Sequence, residues 1–150
     1  MKKSKIIFSV IFWIISVLIM IAIFKFSADN AEESNEISTG LLDIVITYIG
    51  NFISHNVFRE IAHFIEFAAL GFFMTGAIYN TFNKLKFYIP LIPCVLYGVS
   101  DEIHQIFVPD RAFELVDILI DSSGALLGIM IFILIIHLIE KIKLKRSVKI

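Results

Sequence analysis

From Ile6 to Phe24 the chain runs without one charged side chain, and three later stretches are nearly as apolar. Crossing about 30 Å of hydrocarbon takes roughly 20 predominantly apolar residues in a helix. Phe58 to Tyr79 meets that demand with His63 and Glu66 in its first half. Ile89 to Phe107 opens with Pro90 and Pro93, which a first helical turn tolerates, and carries Asp101, Glu102 and His104 late. Phe113 to Ile139 bears Glu114, Asp117 and Asp121 near its start and is then apolar. Hydrophobic residues make up 58% of the 150 residues and charged ones 18%, more apolar side chain than a soluble domain of this size can hide. The expected fold is all-α: a polytopic membrane helical bundle with about four transmembrane helices, over about 6–26, 58–79, 89–107 and 113–139, in a single domain spanning 1–150.

Lys2, Lys3 and Lys5 precede the first segment as they would a signal peptide. Its apolar core is too long for one, and Phe26-Ser27-Ala28 offers no cleavage pattern, so a retained anchor is expected. Lys2, Lys3, Lys5, Lys84, Lys86, Lys141, Lys143, Lys145, Arg146 and Lys149 fall on one side of a four-span arrangement, against Lys25, Arg59 and Arg111 on the other. By the positive-inside bias both termini are cytoplasmic. Between the first two spans, in segment 34–54, Ile37, Leu41, Ile44, Tyr48 and Phe52 recur at helical spacing opposite Glu36, Asp43, Thr47 and Asn51. This pattern fits a helix in the outer interface or a cap packed on the bundle. Cys94 is the single cysteine, so there is no disulfide framework. The basic residues sit at the ends of apolar runs without a recognition motif, which gives nucleic-acid binding no support.

Counting about 1.5 Å per residue from the lysines places Asp121 roughly 30 Å above Lys141, Glu66 roughly 27 Å above Lys84 and Asp101 roughly 22 Å above Lys86. Three helices thus carry ionisable residues into the outer third of the bilayer, with Asp101 expected to be deepest. His63 and Glu66 share a face, as do Asp101, His104 and Gln105. Glu102 is offset and either snorkels, pairs with Arg59 or joins the site. Glu114, Asp117 and Asp121 form a stripe that continues into Gly124 and Gly128, small residues that let helices approach closely. Arg111 follows Pro109 and Asp110 in the outer turn, where its planar fork suits a carboxylate or phosphate. Trp13 is expected to pack on a neighbouring helix and His137 to lie at the interface. Carboxylates at this depth outnumber Arg59, Arg111 and the two histidines. Some must be protonated, or a divalent metal ion or a cationic ligand must compensate them.

Arg59-x-x-x-His63-Phe64-x-Glu66-Phe67, then Asp101-Glu102-x-His104-Gln105-x-Phe107-x-Pro109-x-Arg111, then Asp117 with Gly124 and Gly128, closely resemble the VanZ-like family. The likeness covers roughly residues 20 to 135, including Ser27. The family is named for a protein associated with teicoplanin resistance, so the resemblance implies a cell-envelope role in glycopeptide resistance. Asp110 stands where the family usually has Gly, Asp121 where Asn is common and Phe67 where Tyr is common. On that departure Asp121 is expected to be a tolerated variant near the interface.

The ligand-binding candidates are His63, Glu66, Asp101, Glu102, His104, Gln105, Arg111 and Asp117. In one reading they hold an envelope lipid or a peptidoglycan-related component at the outer leaflet of the bacterial cytoplasmic membrane without chemistry. In a second they form an envelope enzyme in which Glu66, Asp101 and His104 do acid–base or metal-assisted work, although no nucleophile or HExxH motif is present. A transporter or proton relay is disfavoured, because the cytoplasmic halves of the spans are apolar apart from His137 and Tyr79.

Overall fold

The computed structural model describes residues 3–28, 55–109 and 111–147, and every regular element among them is a helix. Helix α1 is Lys3–Ala28, α2 is His55–Phe82, α3 is Tyr88–Gln105 and α4 is Leu115–Ser147. Segment 34–54 lies outside the described residues. α1, α2 and α4 are each long and apolar enough to cross a membrane. α3 has 18 residues, about 27 Å at helical rise, and its last third is polar.

The contacts define an up-and-down bundle. Ser9 meets Thr81 and Trp13 donates its indole N–H to the Thr81 hydroxyl at 3.0 Å, so α1 and α2 are antiparallel. The Tyr97 hydroxyl donates to the Met20 carbonyl at 2.5 Å and Gln105 reaches Ser27, so α3 runs parallel to α1. α2 and α4 are parallel and make the most extensive pairing. A Cβ on Gly124 would strike the Phe64 carbonyl, one on Gly128 the Ala68 carbonyl, and one on Gly71 the Ala125 carbonyl. The small residues therefore set the α2–α4 separation, as their spacing implied. Phe67, Leu70, Ile23, Cys94 and Ala125 form the core beside this seam. Toward the lysine-bearing end, Phe12, Phe73 and Phe132 pack as tilted and edge-on rings with centroids 5.7 and 6.0 Å apart.

α1 is apolar on every side, yet the side chains it buries are Ser9, Ser16, Ile23 and Ser27, while Ile7, Phe8, Ile14, Val17 and Leu18 are exposed. A soluble helix does the opposite. In lipid, apolar contact is available everywhere, so the helix turns inward the small hydroxyl residues that let backbones approach and can return a hydrogen bond. Ser16 bonds the Phe12 carbonyl of its own helix at 2.9 Å.

α2 ends on Asn83, whose φ of 53° is left-handed and whose N–H returns to the Tyr79 carbonyl at 2.9 Å. Asparagine tolerates this conformation better than other non-glycine residues, and Lys5 Nζ fixes its side chain at 3.0 Å. Asn83→Ala is expected to lower the stability of the detergent-solubilised protein by about 1 kcal/mol, and Asn83→Gly to be nearly neutral. Thermal unfolding of both variants measures the difference; equal losses would show that the side-chain bond to Lys5 matters and the backbone conformation does not.

α4 outruns the bundle: Phe132 is its last buried residue, and every described side chain from His137 on is exposed. His137 bonds only the Ile133 carbonyl of its own helix among the described contacts.

Candidate functional site: a polar cluster at one end of the bundle

The end of the bundle where α1 and α3 finish and α2 and α4 begin gathers the predicted residues in two layers. The deeper layer contains Glu66 and His63 from α2, Asp101 and Gln105 from α3 and Asp121 from α4. Asp101 is 2% exposed and Gln105 equally buried. Gln105 Nε2 donates to Ser27 Oγ at 3.0 Å and, at 3.3 Å, to Asp101 Oδ2. Ser27 terminates the buried stripe of α1, so through Gln105 the first helix is tied to the acid on the third. Its signal in the sequence was a small hydroxyl residue at the end of an apolar run.

Asp121 requires a correction. It is 1% exposed, inside the bundle rather than near the interface, with Oδ1 3.7 Å from His63 Nδ1. Its Oδ2 lies 3.5 Å from where a Cβ on Gly98 would stand, which is one helical turn beyond Asp101 toward the start of α3. Asp121 is therefore at least as deep as Asp101. Counting rise from Lys141 misplaced it, because that lysine sits on the part of α4 that projects past the bundle. The absent side chain at Gly98 makes the room. Neither Asp121 oxygen has a hydrogen-bond partner among the described residues, and a buried carboxylate in that condition is costly. Asp121→Asn keeps the shape and removes the charge. It is expected to raise stability by about 1 kcal/mol or more in chemical unfolding of the detergent-solubilised chain; a fall would mean that His63 or a bound group holds the carboxylate in its charged form.

The shallower layer is organised around Arg111, on the turn after α3. The Arg111 N–H closes that turn on the Val108 carbonyl at 3.2 Å. Its guanidinium feels the charges of Asp117, Asp101 and Glu102 and of Arg59. Burial, then Arg59, lowers its pKa from the ordinary arginine value while the carboxylates oppose the shift; it remains a cation. Arg59 likewise acts on Asp117 and His63. Four elements thus contribute to one charged centre.

Glu102 neither snorkels nor relies on Arg59. It is 1% exposed, and its Oε2 accepts the Glu114 backbone N–H at 2.9 Å. A carboxylate at the head of α4 complements the helix dipole. Its Oε1 has no hydrogen-bond partner among the described residues. The Glu114 side chain is exposed, Asp117 half-buried and Asp121 buried, so the acidic stripe of α4 enters the bundle gradually. His104 is turned to α1, where it stacks on Phe24 with centroids 4.4 Å apart. It stands apart from the His63–Asp121 contact, although it shares a helical face with Asp101. Among the described residues no three His, Cys, Asp or Glu side chains converge closely enough to hold a metal ion.

The family model for VanZ/LLP1 matches residues 12–137. The chain belongs to the VanZ/LLP1 family. The matched stretch includes α1 from Phe12 through Ser27, the whole polar cluster and the α2–α4 seam. No curated protein and no solved structure matches the chain. As a member of this family with three membrane-capable helices, it is a membrane protein.

Proposed function

We propose that this VanZ/LLP1 member acts as one unit at the extracytoplasmic side of the bacterial cytoplasmic membrane. All four helices cross, both termini are cytoplasmic, and the cluster faces outward to hold an envelope lipid or a peptidoglycan-related component. That occupancy changes what a teicoplanin-type glycopeptide reaches. The lysines at the opposite end support this orientation. The observation that carries the reading is the burial of Asp101, Glu102 and Asp121 together at one end of the bundle, each with a carboxylate oxygen that has no hydrogen-bond partner among the described residues. Ionisable groups at membrane depth are expensive and are kept for a partner or a task.

The test is retention of lipid by the full-length chain purified in mild detergent. Mass spectrometry of the wild type is expected to find a defined envelope lipid near one per chain. Asp101→Asn and Arg111→Ala are expected to lose it, and Leu134→Ala, on the exposed apolar surface, to retain it. Identical lipid complements in all four samples would defeat the binding reading.

The approach of His63 Nδ1 to buried Asp121, 3.7 Å apart and short of a hydrogen bond, favours a second reading, an envelope enzyme in which the histidine moves a proton once the pair tightens on a ligand. In that case Asp101→Asn would abolish turnover while leaving ligand bound, whereas a pure binder loses nothing but occupancy.

A further inference from the structure

We infer that the lysine-bearing end of the bundle is a collar that binds the anionic phospholipid headgroups of one leaflet, through Lys84, Lys86 and the projecting turns of α4. The collar lies at the end opposite the polar cluster and does not depend on what that cluster holds. Only the choice of leaflet, the inner one, rests on the orientation proposed above.

The packing of α2 on α4 brings two separate basic segments to one end. Gly71 lies against Ala125, and Gly128 against Ala68 and Phe72. Counted along the parallel helices from these contacts, Phe82, where α2 ends, stands about level with Ile139. α4 continues to Ser147, about 12 Å further. Lys141, Lys143, Lys145 and Arg146 ride on that extension, and Lys84 and Lys86 on the connection that leaves α2 beside it. All six are exposed, and Glu140 is the one acid among the described residues at this end. Among the described residues none of the six is ion-paired. Lys5 differs, because Asn83 and the Tyr79 ring take up its ammonium.

The distribution of these charges fits a headgroup layer better than a protein groove. At about 100° per residue, Lys141, Lys145, Arg146 and Lys143 fan across roughly 200° of the helix, with Leu138, Ile142 and Ile139 between them. A helix that lies in a protein groove keeps an apolar stripe apart from its charges; here the two are interleaved. Interleaving suits a bilayer boundary, where apolar side chains and lysine stems stay with the acyl chains while the cations reach the phosphates. The rings of Phe82, Phe87 and Tyr88 are exposed at this same end, as aromatic side chains are at a membrane boundary. Lys86 Nζ stands over the Tyr88 ring, 5.8 Å from its centroid. Six cations against one carboxylate leave an excess of positive charge that an anionic lipid neutralises, whereas a zwitterionic headgroup brings a cation of its own.

The experiment reconstitutes the full chain in phosphatidylcholine vesicles with a trace of spin-labelled phosphatidylglycerol or spin-labelled phosphatidylcholine. Electron spin resonance measures the fraction of each probe held at the protein surface. Phosphatidylglycerol should be favoured about fivefold, the worth of one basic residue beside an anionic headgroup. Salt at about 1 M should bring the ratio close to one, because exposed charges are screened; this arm needs no variant. Lys141→Gln, Lys143→Gln, Lys145→Gln and Arg146→Gln made together should remove most of the preference. Lys141→Arg, Lys143→Arg and Lys145→Arg made together should keep it. Equal retention of the two probes by the wild type, or a preference that survives high salt or the fourfold Gln variant, overturns the collar. If Arg111→Ala abolishes the preference and the Gln variant keeps it, the anionic lipid sits at the polar cluster; the collar is then wrong and the lipid-binding reading stands.

Discussion

On the proposed function, the wild-type chain is expected to raise the inhibitory concentration of a teicoplanin-type glycopeptide in a susceptible Gram-positive host, and Arg111→Ala at equal membrane abundance to return it to that of the empty-vector control. Arg111 lies on a turn, outside the helices, so its loss spares the α2–α4 seam that holds the bundle together. It does remove the cation shared by Asp101, Glu102 and Asp117. What remains is a larger excess of carboxylates, which repels an anionic ligand and leaves their own charge less compensated. Arg111→Lys keeps the charge but not the planar fork, and partial protection is expected from it. Membrane abundance is measured by immunoblot in the same cells. Full protection by Arg111→Ala would move the phenotype away from this cluster and leave the charged layer a structural feature.

The largest effect on stability is expected at Gly128. A side chain there meets the Ala68 carbonyl oxygen and the Phe72 backbone nitrogen of α2. Neither is a flexible group that can move aside, so the two helices must separate. Gly128→Leu should cost about 3 kcal/mol or more, at or beyond the upper end of overpacking in a well-packed core. Leu127→Ala, on the neighbouring lipid-exposed position, should stay within about 0.5 kcal/mol of wild type. Unfolding of the purified chains in mixed detergent micelles gives both numbers. Separation of α2 from α4 also pulls His63 from Asp121, so Gly128→Leu should lose the retained lipid even where some protein stays folded. A wild-type unfolding midpoint for Gly128→Leu would show that the seam is looser than these contacts require.

Much of this was legible from apolar run length and helical period, because a bilayer imposes both before any tertiary contact forms. The run from Ile6 to Phe24, Pro90 in the first turn of α3 and the small-residue stripe from Gly124 to Gly128 each announced their element, whereas Pro93, expected in that first turn, lies inside the helix, which begins earlier at Tyr88. The motif from Asp101 to Arg111 identified the family and most of the polar cluster. Which face of α1 turns inward was not readable, since hydrophobicity carries no directional signal on a helix apolar all round; contact with Thr81, Tyr97 and Gln105 decided it. Depth was equally a tertiary matter. Asp121 is at least as deep as Asp101 because α4 packs its side chain against the bare Gly98 of α3, and rise counted along a single helix cannot register stagger between two. The burial of Glu102 depends on where α4 begins in space, as its carboxylate meets the Glu114 N–H twelve residues on. The sequence by itself determined a membrane bundle, its family and the residue types available at one end. Only the packing of one helix on another decided which of those charges are buried together, because close approach depends on where side chains are missing.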